Sequence, residues 1–271
     1  MTYKLIAFDY DGTAARDGNL PTERVRAAIA AARGRGAVTV LATGRPYDSA
    51  RGYAEALGVD TPVICFQGAM VRELVGDRRV LFVEPAPADA MAEILSLADE
   101  RELELVVYVG DTMFAVDRGR ESGFYNHWFG VPTTFVRSYG ELADDLVATG
   151  RAPLKALFIG SAEGNDSFHE ELVRRFGDRL GVVRSHEMFV EVHSKQASKG
   201  HSLRFLAGYY GVSQDETIAV GDAGNDISMI EWAGLGIAMA NGSLAVRASA
   251  DEIAPSVADD GLADVLERYF P

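Results

Sequence analysis

Disulfide cross-links are excluded by the scarcity of cysteine, since the 271 residues contain 1, Cys65. It lies in the apolar run Val63-Ile64-Cys65-Phe66, where it is expected to be a buried structural thiol and not a reactive one. Histidine is nearly as scarce, at 5. His169, His186, His193 and His201 show no metal-ligand spacing, and His127 has no evident partner. Positive charge is in deficit: 26 Lys and Arg stand against 40 Asp and Glu, a net charge of −14. A surface of that sign repels nucleic acid and anionic membranes, so neither is an expected partner, although a local basic pocket for a phosphate remains open. Long apolar runs are missing as well. Between Lys4 and Asp9 stand only Leu5-Ile6-Ala7-Phe8, too few for a signal-peptide core. Nothing elsewhere approaches the roughly 20 apolar residues of a membrane span. A soluble cytoplasmic protein is the expectation, with the oligomeric state left open.

What is present is rhythm. Leu5 to Phe8 reads as a buried strand. Val25, Ala28, Ile29 and Ala32 then fall at i, i+3, i+4 and i+7, one face of a helix. Val38 to Ala42 is a second strand, Tyr47 to Leu57 a second helix, and Val63 to Phe66 a third strand. The last third repeats this pattern. Leu203, Leu206, Ala207 and Tyr210 form a helical stripe behind Ser198, a plausible N-cap. Thr217 to Val220 and Leu235 to Met239 read as strands, with a short helix around Ile227 to Trp232 between them. Strands apolar on both faces and separated by helices predict a parallel sheet covered on both sides.

The middle differs. Pro85 and Pro87 open it, and Met91, Ile94, Leu95 and Ala98 form a helical stripe. Leu103 to Val109 and Met113 to Val116 are joined by Gly110-Asp111, a hairpin signal. Further strands are expected at Leu154 to Ile159, Leu180 to Val183 and Met188 to Val192. The expected class is α/β: a Rossmann-like parallel sheet core with helices on both faces, residues 1–83 and 191–271, carrying an inserted smaller α+β cap domain, residues 84–190.

Parallel sheets bind ligands beyond the carboxyl ends of their strands, so the residues just past each core strand are informative. Asp9-Tyr10-Asp11-Gly12-Thr13 comes after the first and Thr43-Gly44-Arg45 after the second. Gln67-Gly68-Ala69 comes after the third. Thr217 to Val220 runs into Gly221-Asp222-Ala223-Gly224-Asn225-Asp226. Asp9 and Asp11 can face one cavity if the chain turns at Gly12. One carboxylate can attack phosphorus while a second exchanges protons with the leaving oxygen and with water. Asp222 and Asp226 nearby would repel them without a cation, and hard oxygen ligands of this kind suit Mg²⁺. Thr43 and the adjacent backbone N–H groups can hold a phosphoryl oxygen. Lys199, at the start of a helix, would attract the same anion. Charge alone does not separate it from Lys195.

In their order along the chain, Asp9-x-Asp11-Gly12-Thr13, Thr43-Gly44-Arg45, Lys199-Gly200 and Gly221-Asp222-Ala223-Gly224-Asn225-Asp226 resemble the four motifs of the haloacid dehalogenase superfamily. The insert resembles the type-two cap of its Cof-like sugar-phosphatase branch. The resemblance covers the whole chain and implies a phosphatase acting on a small phosphate ester. By it, Asp9 is the nucleophile and Asp11 the general acid/base. The side chains of Asp9 and Asp222 and the backbone carbonyl of Asp11 would hold Mg²⁺, with Asp226 supporting the metal. Thr43, Gly44 and Lys199 would bind the phosphoryl group, and Asn225 would contribute near the substrate. Lys199 is preferred to Lys195 because glycine follows it. One departure is Gln67, where many Cof-like members carry Asn; the role of Asn241 stays open. Tyr125, His127 and Trp128 form a polar-aromatic cluster suited to stacking on a sugar or flat ring, or to cap core.

Two other readings remain at this point. A phosphotransferase or sugar phosphomutase would use the same nucleophile and return the phosphoryl group to an acceptor. A phospho-accepting signalling module would use Asp9 without turnover, which leaves Asp11 and the insert unexplained.

Overall fold

The computed structural model describes residues 3–16, 18–120, 123–125 and 133–271. The chain divides into two units, residues 1–83 with 198–271, and residues 84–197.

The first unit is built on a five-stranded parallel sheet, in the order Glu252–Ala254, Leu235–Met239, Thr217–Gly221, Leu5–Phe8, Val38–Leu41. All four residues of Leu5–Phe8 are fully buried, as a strand covered on both faces requires. One face packs Leu5, Ala7, Val40 and Ala219 against Leu203, Leu206 and Ala207 of the helix Lys199–Tyr209 and against Met229. The helix Glu23–Gly34 buries Val25, Ala28, Ile29 and Ala32, the stripe its spacing predicts, and packs on the helix Gly261–Tyr269. From Leu5–Phe8 the chain steps one way to Val38–Leu41, and the later strands run the other way. The crevice between Leu5–Phe8 and Thr217–Gly221 is thus the point where strand order reverses, the place such sheets bind ligands.

The third expected strand behaves differently. Val63–Cys65 touches the parallel sheet through a single bridge, Ala42 to Ile64, and pairs mainly antiparallel with Met70–Arg72, which pairs with Val80–Val83. The strand stops at Cys65 because Phe66 and Gln67 take left-handed backbone conformations, φ 53° and 59°, and turn the chain back. Neither this turn nor the two strands beyond it were expected from sequence.

The second unit is a six-stranded sheet in the order Leu180–His186, Phe189–Ser194, Lys155–Ile159, Glu104–Val109, Thr112–Val116, Thr133–Val136. Its neighbours are antiparallel except the last pair. The hairpin expected at Gly110-Asp111 is present, with Gly110 at φ 58°. The helices Ala88–Glu100, Tyr139–Thr149 and Ala162–Phe176 cover one face, meeting Leu105, Val107, Phe158 and Val192. The unit ends at Ala197, not at residue 190 as expected. The reason is that Phe189–Ser194 is an interior strand of this sheet, paired on both sides.

Candidate active site

Asp9 comes directly after the buried strand Leu5–Phe8, and its backbone N–H still donates to the Val220 carbonyl at 3.1 Å. The chain then turns: Thr13, Ala14 and Ala15 all donate backbone N–H groups to the Tyr10 carbonyl. Gly12 has φ +79°, and a Cβ there would lie 2.3 Å from Asp222 Oδ2. Glycine is therefore required twice, for its backbone conformation and for the approach of Asp222. The Thr13 hydroxyl donates to Asp222 Oδ1 at 2.7 Å, tying the first loop to the fourth. Asn241 adds a second tie. Its Nδ2 donates to the Gly12 carbonyl at 2.8 Å, while its Oδ1 accepts from the Val257 N–H at 2.9 Å. Asn241 thus clamps the turn from the C-terminal segment.

The loop after Thr217–Gly221 folds around Asp226. Its Oδ2 accepts from the backbone N–H groups of Asp222 at 3.0 Å and Ala223 at 2.9 Å. Its Oδ1 accepts from Lys199 Nζ at 2.6 Å, and the same ammonium donates to Asp9 Oδ1 at 2.8 Å. Lys199 is the first residue of its helix, behind the Ser198 cap, and is fully buried. Lys195 instead donates to the Gly177 carbonyl at 2.8 Å within the second unit.

Carboxylate oxygens of Asp9, Asp222 and Asp226 lie within 4.8 Å of one another. With Lys199 they form a group of three acids and one base. Ionised, it carries two uncompensated negative charges in a poorly solvated place. Burial pushes the Asp9 carboxyl up to about 8; Lys199 opposes this, while Asp226 and Asp222 add to it. Burial also acts against the Lys199 ammonium, but the facing Asp226 and Asp9 outweigh it and hold the group well above its ordinary value. An all-oxygen donor set with excess negative charge fits a hard divalent cation.

The Asp11 side chain is not part of that carboxylate group. Arg45 grips it with both arms of the guanidinium, Nε to Oδ2 at 2.7 Å and Nη2 to Oδ1 at 2.8 Å. Arg45 in turn lies over the Tyr53 ring, 4.7 Å from its centroid, and Tyr53 packs on Tyr10 at 4.0 Å. Sequence reasoning gave Arg45 no role. The available signal was the adjacency of the first two strands, with Phe8 opposite Leu41, which brings the loops after them to one sheet edge.

Thr43 is buried, its hydroxyl accepting from the Arg45 N–H at 3.2 Å. Beside Gly44 lies the Gln67 carboxamide: a Cβ on Gly44 would be 2.4 Å from Gln67 Nε2. Asn225 Nδ2 donates to Gln67 Oε1 at 2.7 Å. Gln67, the departure from the family pattern, therefore enters the site. Of the aromatic cluster, His127 and Trp128 lie outside the described residues. Tyr125 is buried, with its hydroxyl donating to Glu104 Oε1 at 3.0 Å, which is a core role.

Comparison with known proteins points the same way. Residues 6–266 match the model of the haloacid dehalogenase-like hydrolase family. YxeH of Bacillus subtilis is 30% identical over 270 residues, 98% of each chain. From the same organism, the 5-amino-6-(5-phospho-D-ribitylamino)uracil phosphatase YitU is 27% identical, covering 98% of this chain and 97% of the relative. A solved structure from Thermotoga maritima superposes with a TM-score of 0.84 at 28% identity, covering 98% of this chain and 97% of that one. No helix among the described residues is long and apolar enough to cross a membrane.

Proposed function

This chain belongs to the haloacid dehalogenase-like hydrolase family and is a phosphatase, and from that premise we propose that it hydrolyses small phosphorylated metabolites, sugar phosphates first, by way of a phosphoryl group carried on Asp9. The observation that carries the reading is the buried Asp9 carboxylate, 2.8 Å from Lys199 and grouped with Asp222 and Asp226 at the strand-order reversal. The side chains of Asp9 and Asp222 and the backbone carbonyl of Asp11 would hold Mg²⁺, with Asp226 in support; bound there, the ion supplies the charge that lets a carboxylate approach a phosphate dianion.

Asp9 attacks phosphorus through a carboxylate oxygen while the bond from phosphorus to the ester oxygen breaks. Asp11 supplies the proton that the departing oxygen takes up. Asp11 then takes a proton from the water that attacks the phosphoryl group, releasing inorganic phosphate and restoring Asp9. Arg45 occupies both Asp11 carboxylate oxygens, so proton exchange with the ester oxygen and with water requires that pair to open. Lys199, Thr43 and Gly44 hold the phosphoryl oxygens as charge moves onto them. Lys199 also opposes the effect of burial on the Asp9 carboxyl, as the bound cation would.

Residues 84–197 are assigned the choice of leaving group, because every group placed in the chemistry lies outside them. YitU acts on a ribityl phosphate, which supports a phosphorylated polyol or sugar as the substrate class. The test is phosphate release across sugar phosphates, nucleotides, pyridoxal phosphate and p-nitrophenyl phosphate, with Mg²⁺ and with excess chelator. Turnover of small esters that stops on chelation is expected. Turnover indifferent to chelator would overturn the metal assignment, and equal rates on all esters would overturn the role given to residues 84–197.

A further inference from the structure

The most unusual backbone in the first unit lies beside the chemistry and has no part in the mechanism above. Phe66, Gln67 and Gly68 are three successive residues with positive φ, 53°, 59° and 93°. Two of them carry side chains, and left-handed backbone at such residues costs about 1–3 kcal/mol each unless the surroundings impose it. Here the surroundings do. The Phe66 N–H donates to the Arg45 carbonyl at 3.0 Å, and Ser202 Oγ donates to the Gly68 carbonyl at 2.7 Å. A Cβ on Gly68 would lie 2.2 Å from the Ser198 carbonyl oxygen, so the turn is seated directly on the start of the Lys199 helix. The turn is anchored to the Thr43-Gly44-Arg45 loop at one end and to the Lys199 helix at the other. What the turn sets is the direction of one side chain, Gln67.

That side chain lies flat on Gly44 and ends on Asn225, accepting from Nδ2 at 2.7 Å. Asn225 Oδ1 is buried without a partner among the described residues. The bond to Gln67 is therefore what fixes the orientation of the Asn225 carboxamide. Orientation matters beside a phosphate: the amino end can donate to a phosphoryl oxygen, whereas the carbonyl end would repel it. With one Nδ2 hydrogen engaged by Gln67 Oε1, the other stays available as a donor. Turning the carboxamide over would set Oδ1 against Oε1, acceptor against acceptor.

We propose that Gln67 is a positioning residue for phosphoryl transfer, holding Asn225 with its amino group, not its carbonyl, toward the phosphoryl group. This rests on the reading above that Asn225 serves the phosphate. Gln67 also sets a requirement on Gly44, since any side chain there would displace its carboxamide.

The test is a double-mutant cycle on the full chain with Mg²⁺, comparing the parent, Gln67→Met, Asn225→Ala and the double variant. Methionine keeps the length lying over Gly44 and removes the acceptor. The measurements are kcat and KM for p-nitrophenyl phosphate, the inhibition constant of inorganic phosphate, and the melting temperature. Gln67→Met should raise both KM and the phosphate inhibition constant by about tenfold, the scale of one hydrogen bond to a charged group. In the Asn225→Ala background the same substitution should change them less than about twofold, because the two residues act as one unit. Gln67→Asn, shorter by a methylene, should show the same loss and the same lack of additivity, and it serves if the Met variant does not fold. Losses that multiply in the double variant overturn the proposal while leaving the phosphatase reading intact. Asn225→Ala with unaltered phosphate affinity overturns both the proposal and the phosphate role given to Asn225.

Discussion

Lys199→Met is the perturbation whose size the structure defines best. The ammonium is fully buried and bridges Asp226 at 2.6 Å and Asp9 at 2.8 Å. Methionine keeps most of the volume, so the loss is electrostatic. Removing one partner of a buried ion pair leaves an uncompensated charge and costs roughly 3–5 kcal/mol. At about 2–4 °C per kcal/mol for a chain of this size, the melting temperature in chelator should fall by roughly 6–20 °C. Mg²⁺ should restore part of that fall, since it brings positive charge to the same carboxylates. Phosphatase kcat/KM should drop by about 10²–10³-fold, the scale of losing one preorganised donor at a site of charge development. The assay is calorimetry with and without Mg²⁺, alongside steady-state kinetics, with Lys195→Met as control. Lys195 is exposed, and its side-chain hydrogen bond among the described residues is to the Gly177 carbonyl, so its removal should barely move either measurement. A Lys199→Met protein as stable as the parent in chelator, or equal losses for the two lysines, would refute the reasoning.

Three further outcomes rest on the same geometry. Asp11→Asn should slow turnover by about 10²–10⁴-fold with little change in melting temperature, the scale of losing acid–base help; an unaffected rate would remove Asp11 from the chemistry. Gly12→Ala places a Cβ 2.3 Å from Asp222 Oδ2 at a backbone φ of +79°, so the Mg²⁺ concentration for half-maximal activity should rise at least tenfold; an unchanged Mg²⁺ titration contradicts the placement of Asp222. The Asp9 carboxyl, raised from 3.8 to about 8, favours the fold below about pH 4 and ceases to do so as pH rises through about 8. Metal-free protein should lose melting temperature across that interval, and the gain from Mg²⁺ should grow over it; a gain that is flat with pH contradicts the account.

The strand-end loops were readable because each places polar groups directly after a run apolar on both faces, and a parallel sheet gathers those ends at one edge. The Glu23–Gly34 helix was equally readable, its apolar spacing matching its buried face. Pairings across the fold were not. Arg45 on Asp11 and Gln67 on Asn225 depend on which loops meet, and spacing along the chain carries no mark of either. The turn at Phe66 was hidden because two of its left-handed residues are not glycine. The boundary at Ala197 was missed because the chain leaves Phe189–Ser194 for the Lys199 helix within a few residues, without a proline or glycine to mark the join. The Tyr139–Thr149 and Ala162–Phe176 helices carried capping signals, Ser138 and Ser161, each accepting from a backbone N–H three residues on. Their buried apolar residues are few, Tyr139, Leu142 and Leu146 in the first and Leu172 and Phe176 in the second, too short a stripe to stand out in the sequence.

The central claim is that the phosphoryl group rests on Asp9, and one measurement addresses it most directly. Protein mixed with an excess of a turned-over phosphate ester is quenched within a single turnover and treated with borohydride, which reduces an acyl phosphate to the alcohol and converts Asp to homoserine. Mass spectrometry of the peptide spanning residue 9 then identifies the site. The account predicts homoserine at position 9, absent without substrate and absent in Asp9→Asn. Phosphate release with residue 9 unmodified, or phosphate found on a hydroxyl side chain, would contradict it.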